Sequence, residues 1–159
     1  MESMKSHFLY PAALFASNEP YYINTILGSC VAVCLFDNVC KMGGMAHYML
    51  PLWNANGLAS PKYGNIAIDR LIEKLESYGS KKYNIKAKIF GGGEVIDTKS
   101  TYFNIGKRNI EVAQKILGDY NIPIIGSSTG GKQGRKIIFN TFTGEVRHRY
   151  VKRQNLNKF

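Results

Sequence analysis

Two apolar runs joined by a turn constrain this chain more than any other feature. Val31–Phe36 (VAVCLF) reads as a strand, Asp37–Asn38 supply turn chemistry, and Lys41–Leu50 (KMGGMAHYML) reads as the returning strand. A symmetric loop over FDNVCK centres between Asn38 and Val39. That register sets Cys30 opposite His47, with Cβ atoms about 4.5–5.5 Å apart, close enough for a thiolate–imidazolium pair. It also sets Cys34 opposite Gly43 and Cys40 opposite Asp37. A one-residue slip would break the pairing, and Gly43–Gly44 is where a bulge would cause one.

The rest of the chain supplies more strands and two helices. Tyr21–Leu27 (YYINTIL) is rich in β-branched and aromatic residues and reads as a strand. Pro51–Asn65 reads as a long surface loop. Ile66–Gly79 reads as an amphipathic helix with Ile68, Leu71, Ile72 and Leu75 on one stripe and Gly79 as its stop. Ile85–Phe90 is a strand running into Gly91–Gly93. A second helix follows, capped by Asn104, with Ile105, Val112 and Ile116 facing inward. IPIIGSS, RKIIFNTF and GEVRHRYV close the chain as three strands. Strands and helices do not alternate strictly, which favours an α+β fold with helices outside a largely antiparallel sheet system.

The 159 residues suit a single domain, 1–159, with its own core. With 45% hydrophobic and 20% charged residues, the chain falls in the globular class rather than the disordered one. No apolar run approaches the ~20 residues of a membrane span. The apolar patch Phe8–Phe15 is broken by Pro11 and preceded by one lysine, so it reads as strand and loop rather than an export signal. Three cysteines, an odd count without such a signal, point to a reducing compartment, the cytoplasm. The net charge of +10 reads either as plain solubility or as a surface for an anionic partner, and much of the excess lies in RHRYVKR (147–153) and Lys158. No nucleic-acid motif accompanies it, which favours an acidic protein surface over nucleic acid.

A cysteine becomes a nucleophile when a base or a positive charge stabilises its thiolate, so the chemistry turns on which cysteine meets a histidine. Cys30 follows Gly28–Ser29, where backbone can approach a substrate closely, whereas Cys34 sits inside an apolar strand as a packing residue. His47 sits among Met45, Ala46, Tyr48 and Met49, a setting that more often holds a satisfied core histidine than a catalyst. The Cys and His spacings fit no zinc pattern. GSSTGGK (126–132) mimics a phosphate loop, but Gln133 replaces the hydroxyl residue and a strand follows instead of a helix. FGGGE (90–94) reads as a tight backbone turn. No cofactor or metal is expected.

LGSCVAVCLFD followed by GGMAHYMLP resembles the signature of the CheD family, chemoreceptor glutamine deamidases of bacterial chemotaxis. The likeness continues through KYGNIAI, AKIFGGG, IGKRNIEV and GGKQGRKIIFNTFTGEV, in order, from about Tyr21 to Val146. It implies a β-sandwich flanked by outer helices, similar to the catalytic domain of deamidating bacterial toxins. It implies hydrolysis of glutamine side chains on chemoreceptor cytoplasmic helices to glutamate, with Cys30 as nucleophile forming a thioester and His47 as base. The family also binds a CheC-type phosphatase, so a non-catalytic adaptor is the alternative. A threonine upstream of the cysteine completes the family's site. Counted without a gap, its place holds Asn24, while Thr25 stands one residue closer. Strand alternation puts Asn24 on the side of Cys30 unless Gly28 breaks the parity, and both residues stay open.

Overall fold

The computed structural model describes residues 4–94 and 104–151. In chain order the strands are β1 (Lys5–Phe8), β2 (Ala13–Ser17), β3 (Tyr21–Leu27), β4 (Val31–Asp37) and β5 (Met42–Tyr48). Helix α1 (Gly64–Ser77) and β6 (Ile85–Gly91) follow, then α2 (Ile105–Asp119), β7 (Ile124–Thr129), β8 (Gly134–Asn140) and β9 (Val146–Val151). They form two sheets, β1-β3-β8-β9 and β2-β5-β4-β6-β7. Pairing is antiparallel except for β1 with β3 and β6 with β7. The basic run beyond residue 151, Lys158 included, lies outside the described residues.

Three layers result. One core fills the space between the sheets and includes Ile23, Leu27, Ala32, Cys34, Phe36, Met45, Phe90, Ile137 and Phe139. A second core lies between the five-stranded sheet and the helices and includes Val31, Val33, Leu35, Ala46, Tyr48, Leu71 and Leu117. Successive residues of a strand face opposite sides, so the unbroken apolar run of β4 serves both cores at once, and all seven of its residues are buried. The architecture is an α+β sandwich with both helices packed outside the five-stranded sheet.

The hairpin forms, but in a different register. Ala32 lies opposite His47, Cys34 opposite Met45, and Asp37 opposite Met42. The loop therefore centres between Val39 and Cys40, one residue later than expected. Asp37 is the cause. It stays in the strand while its Oδ1 accepts the N–H groups of Val39 (2.8 Å) and Cys40 (2.9 Å), and Lys41 closes the loop at φ 57°. Moving a loop centre by one residue shifts each partner by two, so faces are preserved. The direct pairing of Cys30 with His47 is lost, and with it those of Cys34 with Gly43 and Cys40 with Asp37.

No bulge occurs at Gly43–Gly44, where the ladder runs through without a shift. These glycines serve close packing instead: a Cβ on Gly44 would sit 2.7 Å from Phe15 O and 2.8 Å from Leu71 Cδ1. The stripe of α1 is as expected, with Ile68, Leu71, Ile72 and Leu75 buried, and Gly79 follows its end at φ 104°. In α2 the buried line is Gly106, Asn109, Ala113 and Leu117. Ile116 packs partly buried against the helix-side core as expected, whereas Val112 lines a groove with Pro51 and Leu52, and Asn104 holds the capping position without a side-chain bond. Small residues lead the buried line, with Leu117 at its end and Ile110 and Ile116 packed partly buried beside it.

Candidate active site

The site lies where the chain leaves one sheet for the other. β3 ends at Leu27 in the four-stranded sheet, and β4 begins at Val31 in the five-stranded one. Gly28, Ser29 and Cys30 make the crossing. Parity counted through this corner carries no meaning, because Cys30 does not belong to β3. Within β3 the alternation is clean: Ile23, Thr25 and Leu27 are buried toward the inter-sheet core, and Asn24 faces outward.

Thr25 and His47 meet across the two sheets. Thr25 Oγ1 lies 2.7 Å from the Leu9 carbonyl oxygen and 2.7 Å from His47 Nδ1. A carbonyl only accepts, so the single hydroxyl proton goes to Leu9 O. The hydroxyl oxygen then accepts the N–H of His47 Nδ1. This fixes the tautomer: in the neutral ring, Nε2 carries the lone pair. His47 is 1% exposed, and its Nε2 is buried with no hydrogen-bond partner among the described residues. Burial pushes its pKa down to about 4, against a smaller upward pull from the Leu9 carbonyl. At neutral pH the ring is an uncharged base whose basic nitrogen is unused.

Cys30 packs, half-buried, against the same inter-sheet core that the face of His47 borders, two residues before Ala32, its direct ladder partner. No hydrogen bond joins Cys30 to His47. Burial pushes the Cys30 thiol up to about 11, while a backbone N–H, its own, favours the thiolate slightly. Burial therefore keeps thiol and imidazole neutral, not the ion pair that the sequence suggested. Cys34 is fully buried and its thiol is raised further by desolvation.

Three successive carbonyls of the crossing are held from behind. Gly28 O accepts from Gly93 N (3.0 Å), Ser29 O from Asn109 Nδ2 (3.0 Å), and Cys30 O from Gly92 N (2.8 Å). In a trans peptide the N–H points opposite to the C=O. The N–H of Ser29 therefore turns away from the glycine turn and that of Cys30 away from the Asn109 amide, and neither donates to a backbone acceptor among the described residues. Gly91–Gly93 forms a template rather than a mere turn. A Cβ on Gly91 would stand 2.3 Å from Cys30 O, and one on Gly106 would stand 2.4 Å from Gly92 O. Arg135, 2% exposed, braces the template by donating to Gly130 O (2.8 Å) and Ser128 Oγ (3.0 Å).

Asn109 was not singled out by sequence reasoning. It is fully buried, and its Nδ2 also donates to Met49 O (3.0 Å), tying the Cys30 crossing to the end of the strand that carries His47. Tyr48 donates its hydroxyl to the Asn109 carbonyl. An asparagine on the apolar stripe of α2 was the available signal. Leu9, which anchors Thr25, lies in an N-terminal segment outside the stretch of family likeness and carried no signal at all.

This geometry can be set beside known proteins. A relative in Trichlorobacter lovleyi, named a probable chemoreceptor glutamine deamidase CheD, is 47% identical over 96% of this chain and 94% of its own. The chain belongs to the CheD family. The family model described as CheD chemotactic sensory transduction matches residues 49–150. A CheD relative of the same probable name in Sulfurimonas denitrificans is 44% identical over 92% of this chain and 94% of its own. The chemoreceptor glutamine deamidase CheD of Halalkalibacterium halodurans is 42% identical over 88% and 90%. A solved structure, the hypothetical protein YfiH of Bacillus licheniformis, superposes with TM-score 0.44 at 16% identity, over 69% of this chain and 49% of that one. So distant a likeness decides nothing about this CheD-family chain. No helix among its described residues is long and apolar enough to cross a membrane.

Proposed function

We propose that this CheD-family chain is a cysteine-dependent protein-glutamine deamidase, hydrolysing glutamine side chains on the cytoplasmic helices of chemoreceptors to glutamate with release of ammonia. The observation that carries it is His47: a buried neutral imidazole, its Nδ1–H bonded to Thr25 and its Nε2 free, on the core face against which Cys30 packs.

The Cys30 thiol passes its proton to His47 Nε2 as sulfur attacks the carboxamide carbon, forming the C–S bond. The developing oxyanion takes hydrogen bonds from the N–H groups of Ser29 and Cys30, which the glycine template and Asn109 turn outward. Collapse breaks the C–N bond, and the imidazolium gives its proton to the leaving nitrogen, releasing ammonia. Water then loses a proton to Nε2 and attacks the thioester carbon. The C–S bond breaks, sulfur regains its proton, and the amide has become a carboxyl group at the expense of one water. Thr25 is the third member of the site and Asn24 is not, since Asn24 faces away from the core. The protein acts in the cytoplasm, where those receptor helices lie. A pure adaptor for a CheC-type phosphatase has no use for a buried base held in one tautomer.

Incubation with a purified chemoreceptor cytoplasmic fragment, followed by peptide mass spectrometry, tests this. Glutamine-to-glutamate conversion is expected with the wild-type chain and none with Cys30→Ala. Conversion that survives Cys30→Ala rejects the nucleophile.

A further inference from the structure

The outer face of the four-stranded sheet takes no part in either core. Alternation places Ile26 of β3, Lys136 and Ile138 of β8, and Arg147 and Arg149 of β9 on it, because Leu27, Ile137 and Phe139 point inward. Lys136 stands directly opposite Arg149, and Ile138 opposite Arg147. Like charges directly opposed across a sheet destabilise it. Nothing among the described residues offsets this pair. Arg147 approaches Glu145 at 3.8 Å on the exposed rim, while Lys136 and Arg149 have no ion-pair partner among the described residues. Together the three cations border a hollow of about 280 Å³ with Ile138 and the edge of His148.

The face is continuous with the site. Lys136 pairs with Ile26, and β3 then runs through Leu27 into the Gly28–Cys30 crossing. Lys136 and Arg149 therefore stand at the end of the sheet from which the crossing that carries Cys30 departs. We propose that this face docks an acidic, carboxylate-bearing helical surface of the protein whose glutamine is hydrolysed; the assignment rests on the deamidase reading above. Two features select that occupant. The cations cluster next to the strand end that leads into the Cys30 crossing, and the apolar side chains between them suit the aliphatic stems of glutamate and glutamine. The chemistry reinforces the match, since each turnover leaves a new carboxylate on the substrate.

The test uses the full chain and a Lys136→Gln/Arg147→Gln/Arg149→Gln variant, with a chemoreceptor cytoplasmic fragment and a short uncharged glutamine peptide as separate substrates. Direct binding is measured to the fragment, to double-stranded DNA and to phosphatidylglycerol vesicles. For the variant, kcat/KM on the fragment should fall about tenfold or more through KM, while kcat/KM on the peptide stays within about twofold. Wild-type binding to the fragment should weaken as salt rises. Equal binding of the fragment by wild type and variant overturns the proposal. So does tighter wild-type binding to DNA or vesicles than to the fragment. If neither substrate is hydrolysed, the deamidase reading fails, while fragment binding by wild type and variant still decides the docking face.

Discussion

Thr25 fixes which nitrogen of His47 carries its proton, so one methyl-for-hydroxyl exchange tests the site. In Thr25→Val the buried Nδ1–H loses its acceptor, which costs about 1–3 kcal/mol of stability. The ring is then free to take the other tautomer, and kcat should fall about 10- to 100-fold, equivalent to roughly 1.4–2.7 kcal/mol of barrier. Asn24→Ala, on the outward face, should leave kcat within about twofold. Steady-state ammonia release from a glutamine peptide by the two variants separates the candidates; equal losses would reject the assignment of Thr25. A second residue-scale prediction concerns resting charge. Burial holds Cys30 near 11 and His47 near 4, so the active neutral pair persists between those values. kcat/KM should rise with pH through about 4 and stay flat across neutrality, and iodoacetamide should alkylate Cys30 slowly at neutral pH and faster toward alkaline pH. Rapid alkylation at pH 6 would show an ion pair instead.

At the scale of elements, the contact between α2 and the glycine template decides how well the crossing is held. Gly106→Ala places a Cβ 2.4 Å from Gly92 O and 2.8 Å from Gly93 O, both backbone atoms that cannot rotate away. Overpacking of this kind costs about 1–3 kcal/mol. Because Gly92 and Gly93 hold Cys30 O and Gly28 O, kcat should fall more than the lost stability alone requires. Urea titration and kcat measured on the same variant give the comparison; a stability loss with unchanged kcat would show that the template does not position the nucleophile. The element scale also shows what the sequence could and could not tell. The hairpin and the stripe of α1 were legible because strand and helix periods are local. The register was not, because it depended on the Asp37 carboxylate capping a loop from within the strand. The face of α2 was read only in part for a related reason. Ile116 packs against the core as read, but the close approach to the Gly92 and Gly93 carbonyls sets Gly106 on the buried line in place of Val112. Asn24 and Thr25 stayed unresolved until the sheet-to-sheet corner was seen, since parity ends at Leu27.

For the whole molecule, the buried titratable groups set a window of pH in which the fold is most stable. His47 takes a proton near 6.5 when unfolded but only near 4 when folded. The unfolded chain therefore binds more protons between those values, and stability falls as pH drops through them, by on the order of 3 kcal/mol in full. His148 adds to this in the same direction, lowered by burial and then by the charge of Arg135. Burial opposes the charge of Asp37, but the Ser80 hydroxyl and the N–H groups of Cys40 and Val39 outweigh it and lower its pKa, so its contribution is lost in turn at more acid pH. On the alkaline side the sign reverses. Cys30 ionises near 9.0 unfolded and near 11 folded, so its contribution is present below 9 and lost as pH rises through 11. The unfolding midpoint in urea should thus be highest between about pH 6.5 and 9 and decline on both sides. His47→Asn removes one of the acid-titrating groups, so its decline between pH 6.5 and 4 should be shallower than that of the wild type. Parallel curves for the two proteins would mean that His47 is charged in the folded state, and the neutral base on which the proposed proton transfers depend would have to be abandoned.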